Sequence, residues 1–214
     1  MKLLLSLCLI WVLVNTAEAI HCLLCKDYPE CREVFSYSCS SDMLCSTRHV
    51  KLQVMGISSL HVDKVCVSTS KCIVGTANYS IHLGSMRVVA AVECCDADFC
   101  NSATPAIPAE PKNNSLQCYS CDSFTCRNKM QCVGMEDRCF NGTAYTWITR
   151  AHTFGCASSN LCEGFSELDS MIIPGFNFTD GPTCCEGNFC NSVSTTRLSV
   201  FPLLLGLISL IFIY

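Results

Sequence analysis

The sequence has little of what catalysis, nucleic-acid binding or a helical fold would require. No G-x-S-x-G, H-E-x-x-H, G-x-G-x-x-G or P-loop pattern occurs in its 214 residues, so the local signatures of hydrolase, zinc-protease, dinucleotide and nucleoside-triphosphate chemistry are missing. The five histidines, His21, His49, His61, His82 and His152, are scattered beside β-forming residues or at domain edges. Charged residues make up only 15% of the chain, and Lys and Arg nowhere gather into the positive surface that nucleic acid needs. Between the two ends no stretch sustains an apolar period of 3.6, which argues against a helical fold. Neither catalysis nor a cofactor is expected.

What is abundant is cysteine. There are 21 in the chain, a density that belongs to secreted disulfide scaffolds and not to a reducing cytosol. The amino-terminal segment supplies the route out: Lys2, an apolar run from Leu3 to Val14, then Ala17-Glu18-Ala19 as a small-x-small cleavage pattern. Residues 1–19 therefore read as a signal peptide. Its removal takes Cys8 and leaves 20 cysteines, an even number compatible with complete pairing.

At the other end, Leu198 to Tyr214 is a 17-residue apolar run with no Lys or Arg after it, short of the roughly 20 residues of a spanning helix and without a cytoplasmic charge to hold one. The small polar stretch from Asn191 to Arg197 precedes it. Residues 192–214 thus read as a glycosylphosphatidylinositol attachment signal, with attachment expected at Ser192 or Asn191. Mature residues 20–192 carry 12 Lys plus Arg against 17 Asp plus Glu, a net of −5, a mild acidity that favours solubility.

The cysteines also repeat. C-C-D-A-D-F-C-N at Cys94 to Asn101 returns as C-C-E-G-N-F-C-N at Cys184 to Asn191, 90 residues later, so the chain is a tandem repeat. Adjacent cysteines rarely bridge each other, because the small ring would strain the peptide bond between them. One pairs upstream and the other closes a small terminal loop, which makes each block a clasp. Ten cysteines align in order in each unit, and both units open with C-x-x-C.

The units cover 20–101 and 118–191. Between them, residues 102–117 lack cysteine and carry Pro105, Pro108 and Pro111, a spacing that favours an extended polyproline II spacer over a packed connection. Units this short bury too little apolar surface to be comfortably stable alone, and five bridges each, at about 2 to 4 kcal/mol per bridge, supply the remainder. Stretches rich in β-formers, His49 to Val54, Arg87 to Val92 and Ala144 to Thr149, read as hairpins projecting from a disulfide hub.

The opening C-x-x-C, the order and spacing of the ten cysteines and the closing C-C-x-x-x-x-C-N resemble the three-finger domain of the lymphocyte-antigen-six and urokinase-receptor family, the LU domain, twice over. The resemblance implies a small disulfide-rich all-β fold of two tandem three-finger domains with five disulfides each. It also implies the connectivity, which spacing alone leaves open: in the first domain Cys22–Cys45, Cys25–Cys31, Cys39–Cys66, Cys72–Cys94 and Cys95–Cys100, and in the second Cys118–Cys139, Cys121–Cys126, Cys132–Cys156, Cys162–Cys184 and Cys185–Cys190. The C-x-x-C pairs could be read as zinc or redox motifs, but in an oxidising compartment with a full, even cysteine set they are expected to be structural bridges, and no metal is expected.

Sequons stand at Asn78, Asn113, Asn141 and Asn177, with Asn113 the most accessible. Binding through the fingers is the expected work. The second finger of the first domain carries Val54, Met55, Ile57 and Leu60 around Gly56, apolar residues at an expected tip that no sequon shields. The second finger of the other domain carries Tyr145, Trp147 and Arg150, residue types enriched at binding hot spots, and its third finger adds the apolar run Met171 to Phe176. The expected function is non-catalytic recognition of, or adhesion to, an extracellular protein by a lipid-anchored glycoprotein on the outer leaflet, with no nucleic-acid partner. A second reading is a secreted inhibitor resembling the gamma-type phospholipase A2 inhibitors, which lack an anchor.

Overall fold

The structure, a computed structural model, describes residues 19–25, 30–109, 112–122, 125–145, 150–164 and 177–192. The expected signal segment up to residue 18, Trp147, the Met171 to Phe176 run and the expected anchor signal from residue 193 lie outside the described residues. Among the described residues no helix is long and apolar enough to cross a membrane.

The first domain is three hairpins. Strands β1 (His21–Cys25) and β2 (Val34–Ser38) form the first finger, β3 (Met43–Val54) and β4 (Ile57–Ser68) the second, and β5 (Gly75–His82) and β6 (Met86–Cys95) the third. The second finger holds an unbroken antiparallel register from Met43↔Ser68 to Val54↔Ile57. Its two-residue turn places Met55 at φ 49° and Gly56 at φ 83°, the positive angles whose twist lets a tight hairpin close, and glycine takes them without a Cβ clash. The run Val88 to Val92 in β6 is buried at every position, so a near-continuous apolar run marks a strand covered on both faces.

The second domain repeats the plan. It comprises β7 (Asn113–Ser120), β8 (Asn128–Val133), β9 (Arg138–Tyr145), β10 (Arg150–Ala157), the one-turn helix α1 (Ser159–Glu163) and β11 (Asn177–Cys185). Seven strands share one antiparallel sheet in the order β11-β9-β10-β5-β6-β3-β4. The sheet passes from one domain into the other where β10 meets β5, through Cys156↔His82 and Ala157↔Ile81. One apolar core spans the join, with Ile81, Leu83 and Val88 of the first domain packed with Phe140, Ala157 and Leu161 of the second.

Ten disulfides staple the fingers at their bases. In the first domain they are Cys22–Cys45, Cys25–Cys31, Cys39–Cys66, Cys72–Cys94 and Cys95–Cys100. In the second they are Cys118–Cys139, Cys121–Cys126, Cys132–Cys156, Cys162–Cys184 and Cys185–Cys190. The bridges gather into two hubs, around buried Cys22, Cys39 and Cys45 and around buried Cys118, Cys132, Cys139 and Cys156.

The proline-rich segment differs from its expectation. Residues 103–109 are free of regular structure and exposed or half-buried, yet hydrogen bonds tie them to the first domain, and residues 113–117 already belong to β7. The segment starts beside Thr47, whose Oγ1 donates to the Asn101 carbonyl at 3.1 Å, continues past His49, whose Nδ1 meets the Pro105 carbonyl at 2.9 Å, and through Ile107 to Ala109 lines the same cavity as Lys51 and Gln53. It is therefore a strap laid along one face of β3. The physical reason is that the carbonyls just ahead of the first proline lie outside any strand and are open to a donor. Buried Lys64 uses them, donating to the carbonyls of Asn101 at 2.5 Å, Ser102 at 3.1 Å and Ala103 at 2.8 Å. Burial lowers the pKa of this ammonium, and the nearby Glu93 carboxylate works the other way.

Candidate recognition surface and domain seam

Each clasp closes through the side chains that follow its paired cysteines. Asn101 is fully buried; its Nδ2 donates to the carbonyls of Leu23 at 2.8 Å and Ser46 at 3.2 Å, and its Oδ1 accepts from the Leu23 N–H at 3.0 Å. Asn191 repeats the pattern, donating to Tyr119 and Phe140 carbonyls at 2.9 Å each and accepting from the Tyr119 N–H at 2.9 Å. Asp98 and Asn188 hold the neighbouring backbone by accepting from the N–H of His21 at 2.8 Å and Gln117 at 2.9 Å. Phe99 and Phe189 sit at φ 55° and 58°, the left-handed region that lets the chain turn inward. The asparagine thus acts as a short extra strand beside the first strand of each domain.

The seam between the domains is polar at its centre. Glu136, in the turn between β8 and β9, is fully buried. Its Oε1 accepts from Ser80 Oγ at 2.8 Å and Arg87 Nε at 3.0 Å across the seam, while Oε2 accepts from the Val133 N–H at 3.0 Å. His82 Nδ1 lies 3.9 Å from Oε2. Burial pushes the His82 imidazole pKa down, chiefly; Glu136 raises it, Arg87 lowers it and a hydrogen bond with the Gly84 backbone raises it. Beside this network the Ser158 N–H donates to the Ser80 carbonyl at 2.9 Å, Ser158 Oγ accepts from the Ser80 N–H at 3.1 Å, and Asn160 Nδ2 donates to the Asn78 carbonyl at 2.8 Å. Gly155 lets the strands meet, since a Cβ there would stand 1.9 Å from the His82 carbonyl oxygen.

The expected tip residues are placed in the open. Met55 is 82% exposed, Ile57 77%, Leu60 55% and Val54 39%. On the second domain Tyr145 is 50% exposed and stands opposite exposed Arg150 in the β9–β10 register, while Trp147 lies outside the described residues. Met55, but not Ile57, Leu60, Tyr145 or Arg150, lines a cleft of about 990 Å³, shared with Leu83 and Met86 of the first domain and with Ser120 to Asp122 and Ala151 to Phe154 of the second. A smaller cavity of about 240 Å³ lies under the strap, among Lys51, Val89, Ile107 and Met135. Sequence reasoning missed the first finger, where every position of β2 is exposed, including Val34, Phe35 and Tyr37. Its V-F-S-Y pattern is indistinguishable from a half-buried strand until the partner face is seen to be missing.

Among the sequons, Asn113 is exposed at the start of β7, Asn141 is half-buried on β9, and Asn78 is half-buried at the seam. Asn177 opens β11, its side chain outside the described residues. Ser192 is exposed, whereas Asn191 is buried in the clasp. The sulfurs of Cys22, Cys39 and Cys66, and of Cys118, Cys132 and Cys156, lie within 4.8 Å of one another, yet each is already committed to a disulfide, whereas zinc needs thiolates.

A family model for the u-PAR/Ly-6 domain matches residues 18–103 and 114–193. The chain is similar to the urokinase plasminogen activator surface receptor of Aotus trivirgatus, 25% identical over 191 residues that cover 77% of this chain and 56% of the receptor; it thus spans about half the length of that relative. It is also similar to the phospholipase A2 inhibitor CNF of Crotalus durissus terrificus, 23% identical over 196 residues that cover 86% of this chain and 96% of the inhibitor. The crystal structure of mouse TEX101 aligns over 80% of this chain and 98% of its own, at 15% identity and a TM-score of 0.32. The two matched stretches take in nearly all of the chain between its apolar ends, and the chain belongs to the u-PAR/Ly-6 domain family.

Proposed function

We propose that this protein is a glycosylphosphatidylinositol-anchored surface glycoprotein whose work is non-catalytic recognition of, or adhesion to, an extracellular protein. The observation that carries the reading is the exposed aliphatic tip of the β3–β4 finger, where Met55, Ile57 and Leu60 are each more than half exposed. Apolar side chains grouped on a protruding hairpin mark a partner site better than the same residues scattered singly. Tyr145, Arg150 and Trp147 form the second candidate contact. The anchor is proposed at Ser192, which is exposed where Asn191 is held in the clasp, and glycans are proposed at Asn78, Asn113, Asn141 and Asn177. Changing Met55, Ile57 and Leu60 together to Ser is expected to abolish capture of the partner by the expressed chain; undiminished capture would remove the tip as the site.

A second reading has one observation in its favour: the inhibitor CNF is matched over 96% of its length, so both domains have counterparts in a protein named for inhibiting phospholipase A2. In that case the chain would be secreted and would bind an enzyme. Treatment of expressing cells with phosphatidylinositol-specific phospholipase C separates the two. Release from the cell surface supports the anchor; protein that stays cell-bound defeats it, and protein found only in the medium, together with inhibition of a secreted phospholipase A2, favours the inhibitor.

A further inference from the structure

We propose that the outer edge of the first finger is a self-association site, at which a second copy of the chain adds antiparallel to β2 about a two-fold axis at Ser36. Strand β2 is exposed at every position, with Val34, Phe35 and Tyr37 each at least 44% exposed. Among the described residues its strand partner is β1 alone, and Val34 to Ser38 take part in no ion pair, ring contact or hydrogen bond outside that pairing. The direction of the backbone groups follows from the register, which sets His21 opposite Ser38 and hence Ile20 opposite Cys39. The Cys39 N–H donates to the Ile20 carbonyl at 2.8 Å. Direction alternates along a strand, so Phe35, Tyr37 and Cys39 turn their N–H and C=O groups toward β1, and Val34, Ser36 and Ser38 turn theirs outward.

Edges of this kind are usually protected by lysine, proline or a bulge. Val34 to Ser38 holds no charge and no proline, and its register with β1 runs without a shift. A second copy is the fitting occupant because the strand matches itself when reversed. With Ser36 opposite Ser36 of the second copy, the outward groups of Val34 meet those of Ser38, and Phe35 falls opposite Tyr37 of the second copy. That aromatic pair takes the non-hydrogen-bonded site, where side chains approach most closely. A register centred on Val34 or Ser38 would lose both aromatic pairs. Glu33 falls opposite Cys39 of the second copy, which keeps the two Glu33 carboxylates roughly 20 Å apart, so no like charges meet within the paired strands. An edge of 5 residues is about 17 Å long and covers less than the roughly 1,000 Å² that a stable solution interface clears. The pairing is therefore expected to be weak between dissolved chains and to fill where chains are concentrated on one surface. In that respect it draws on the proposed anchor, although the edge is separate from both the anchor and the Met55, Ile57 and Leu60 tip.

Full chains expressed on secretory host cells provide the test. Ser36→Cys sets two thiols across the axis, where the Cα atoms of a hydrogen-bonded pair stand about 5.5 Å apart, within disulfide range. A doubled-size band is expected on a non-reducing gel. Ser38→Cys is exposed on the same edge, but its two copies would stand roughly 14 Å apart and should stay unlinked, which separates this register from chance oxidation. Adding Phe35→Glu and Tyr37→Glu to the Ser36→Cys chain sets like charges opposite each other and should cut the linked fraction at least about tenfold. A second measurement needs no added thiol and decides the matter where Ser36→Cys fails to reach the surface. Co-expressed chains bearing two different epitope tags should co-precipitate, and Ser36→Pro, which removes an outward N–H and leaves the bonds to β1, should end it. The proposal is overturned by equal linking of the two cysteine variants, by no linking of a surface-expressed Ser36→Cys chain, or by co-precipitation that Ser36→Pro leaves unchanged. Linking of Ser36→Cys to a different protein would overturn it as well, by making that protein the occupant. Phosphatidylinositol-specific phospholipase C tests the anchor separately: linked chains that resist release would defeat the anchor and leave the edge standing.

Discussion

At the scale of single residues, one carboxylate stands at the centre of the seam. Glu136 is fully buried and answers Ser80 and Arg87 from the other domain. Glu136→Ala leaves Arg87 as an uncompensated charge and is expected to destabilise the fold by about 3 kcal/mol, read by urea unfolding with disulfides intact; a loss of under about 0.5 kcal/mol would show that Arg87 finds water instead. His82 makes the seam sensitive to pH. Its pKa is lowered from the ordinary 6.5, mainly by burial, so above 6.5 it is neutral in both folded and unfolded chains and its contribution to stability is intact. As pH falls below 6.5 the unfolded chain takes up the proton first and stability falls, levelling once the folded imidazole is also protonated. Burial lowers His61 in the same direction, so the comparison that isolates His82 is His82→Asn: its melting temperature should drop less than that of the parent between pH 7.5 and 5, and an equal drop would place the sensitivity elsewhere.

At the scale of elements, the junction of β5 with β10 depends on a missing side chain. A methyl at Gly155 would meet the His82 carbonyl oxygen, a backbone atom that cannot swing away. Gly155→Ala is expected to open the seam while the ten bridges keep each domain folded, seen as a larger radius of gyration in solution scattering; an unchanged radius would mean that the strands shift and stay paired. The fingers themselves were legible in the sequence. His49 to Val54 and Arg87 to Val92 lie in β3 and β6 as their β-forming character implied. The exposed tip was legible too, because Gly56 between apolar residues signals a turn. The seam was not: it is built from Ser80, Glu136, Ser158 and Gly155, residues that pass for ordinary surface and turn positions, and their partners are far away in sequence. The strap was half legible, since proline spacing announced an extended chain but nothing local announced that Lys64 and His49 would fasten it.

At the scale of the whole molecule, the shared sheet and the core joining Ile81 and Val88 to Phe140 and Leu161 make two domains into one cooperative body. Calorimetry should therefore show a single unfolding transition, and two resolved transitions would mean that the seam contributes little beyond orientation. The arrangement of the bridges adds something else. Every disulfide closes within its own domain, so the strap is the sole covalent tie between the halves. One proteolytic nick in residues 104–112 should leave a particle of unchanged size in gel filtration that separates into two pieces on a non-reducing denaturing gel. Such a nick would turn the first domain into a detachable subunit, retained by the seam alone and released by whatever opens the junction of β5 with β10.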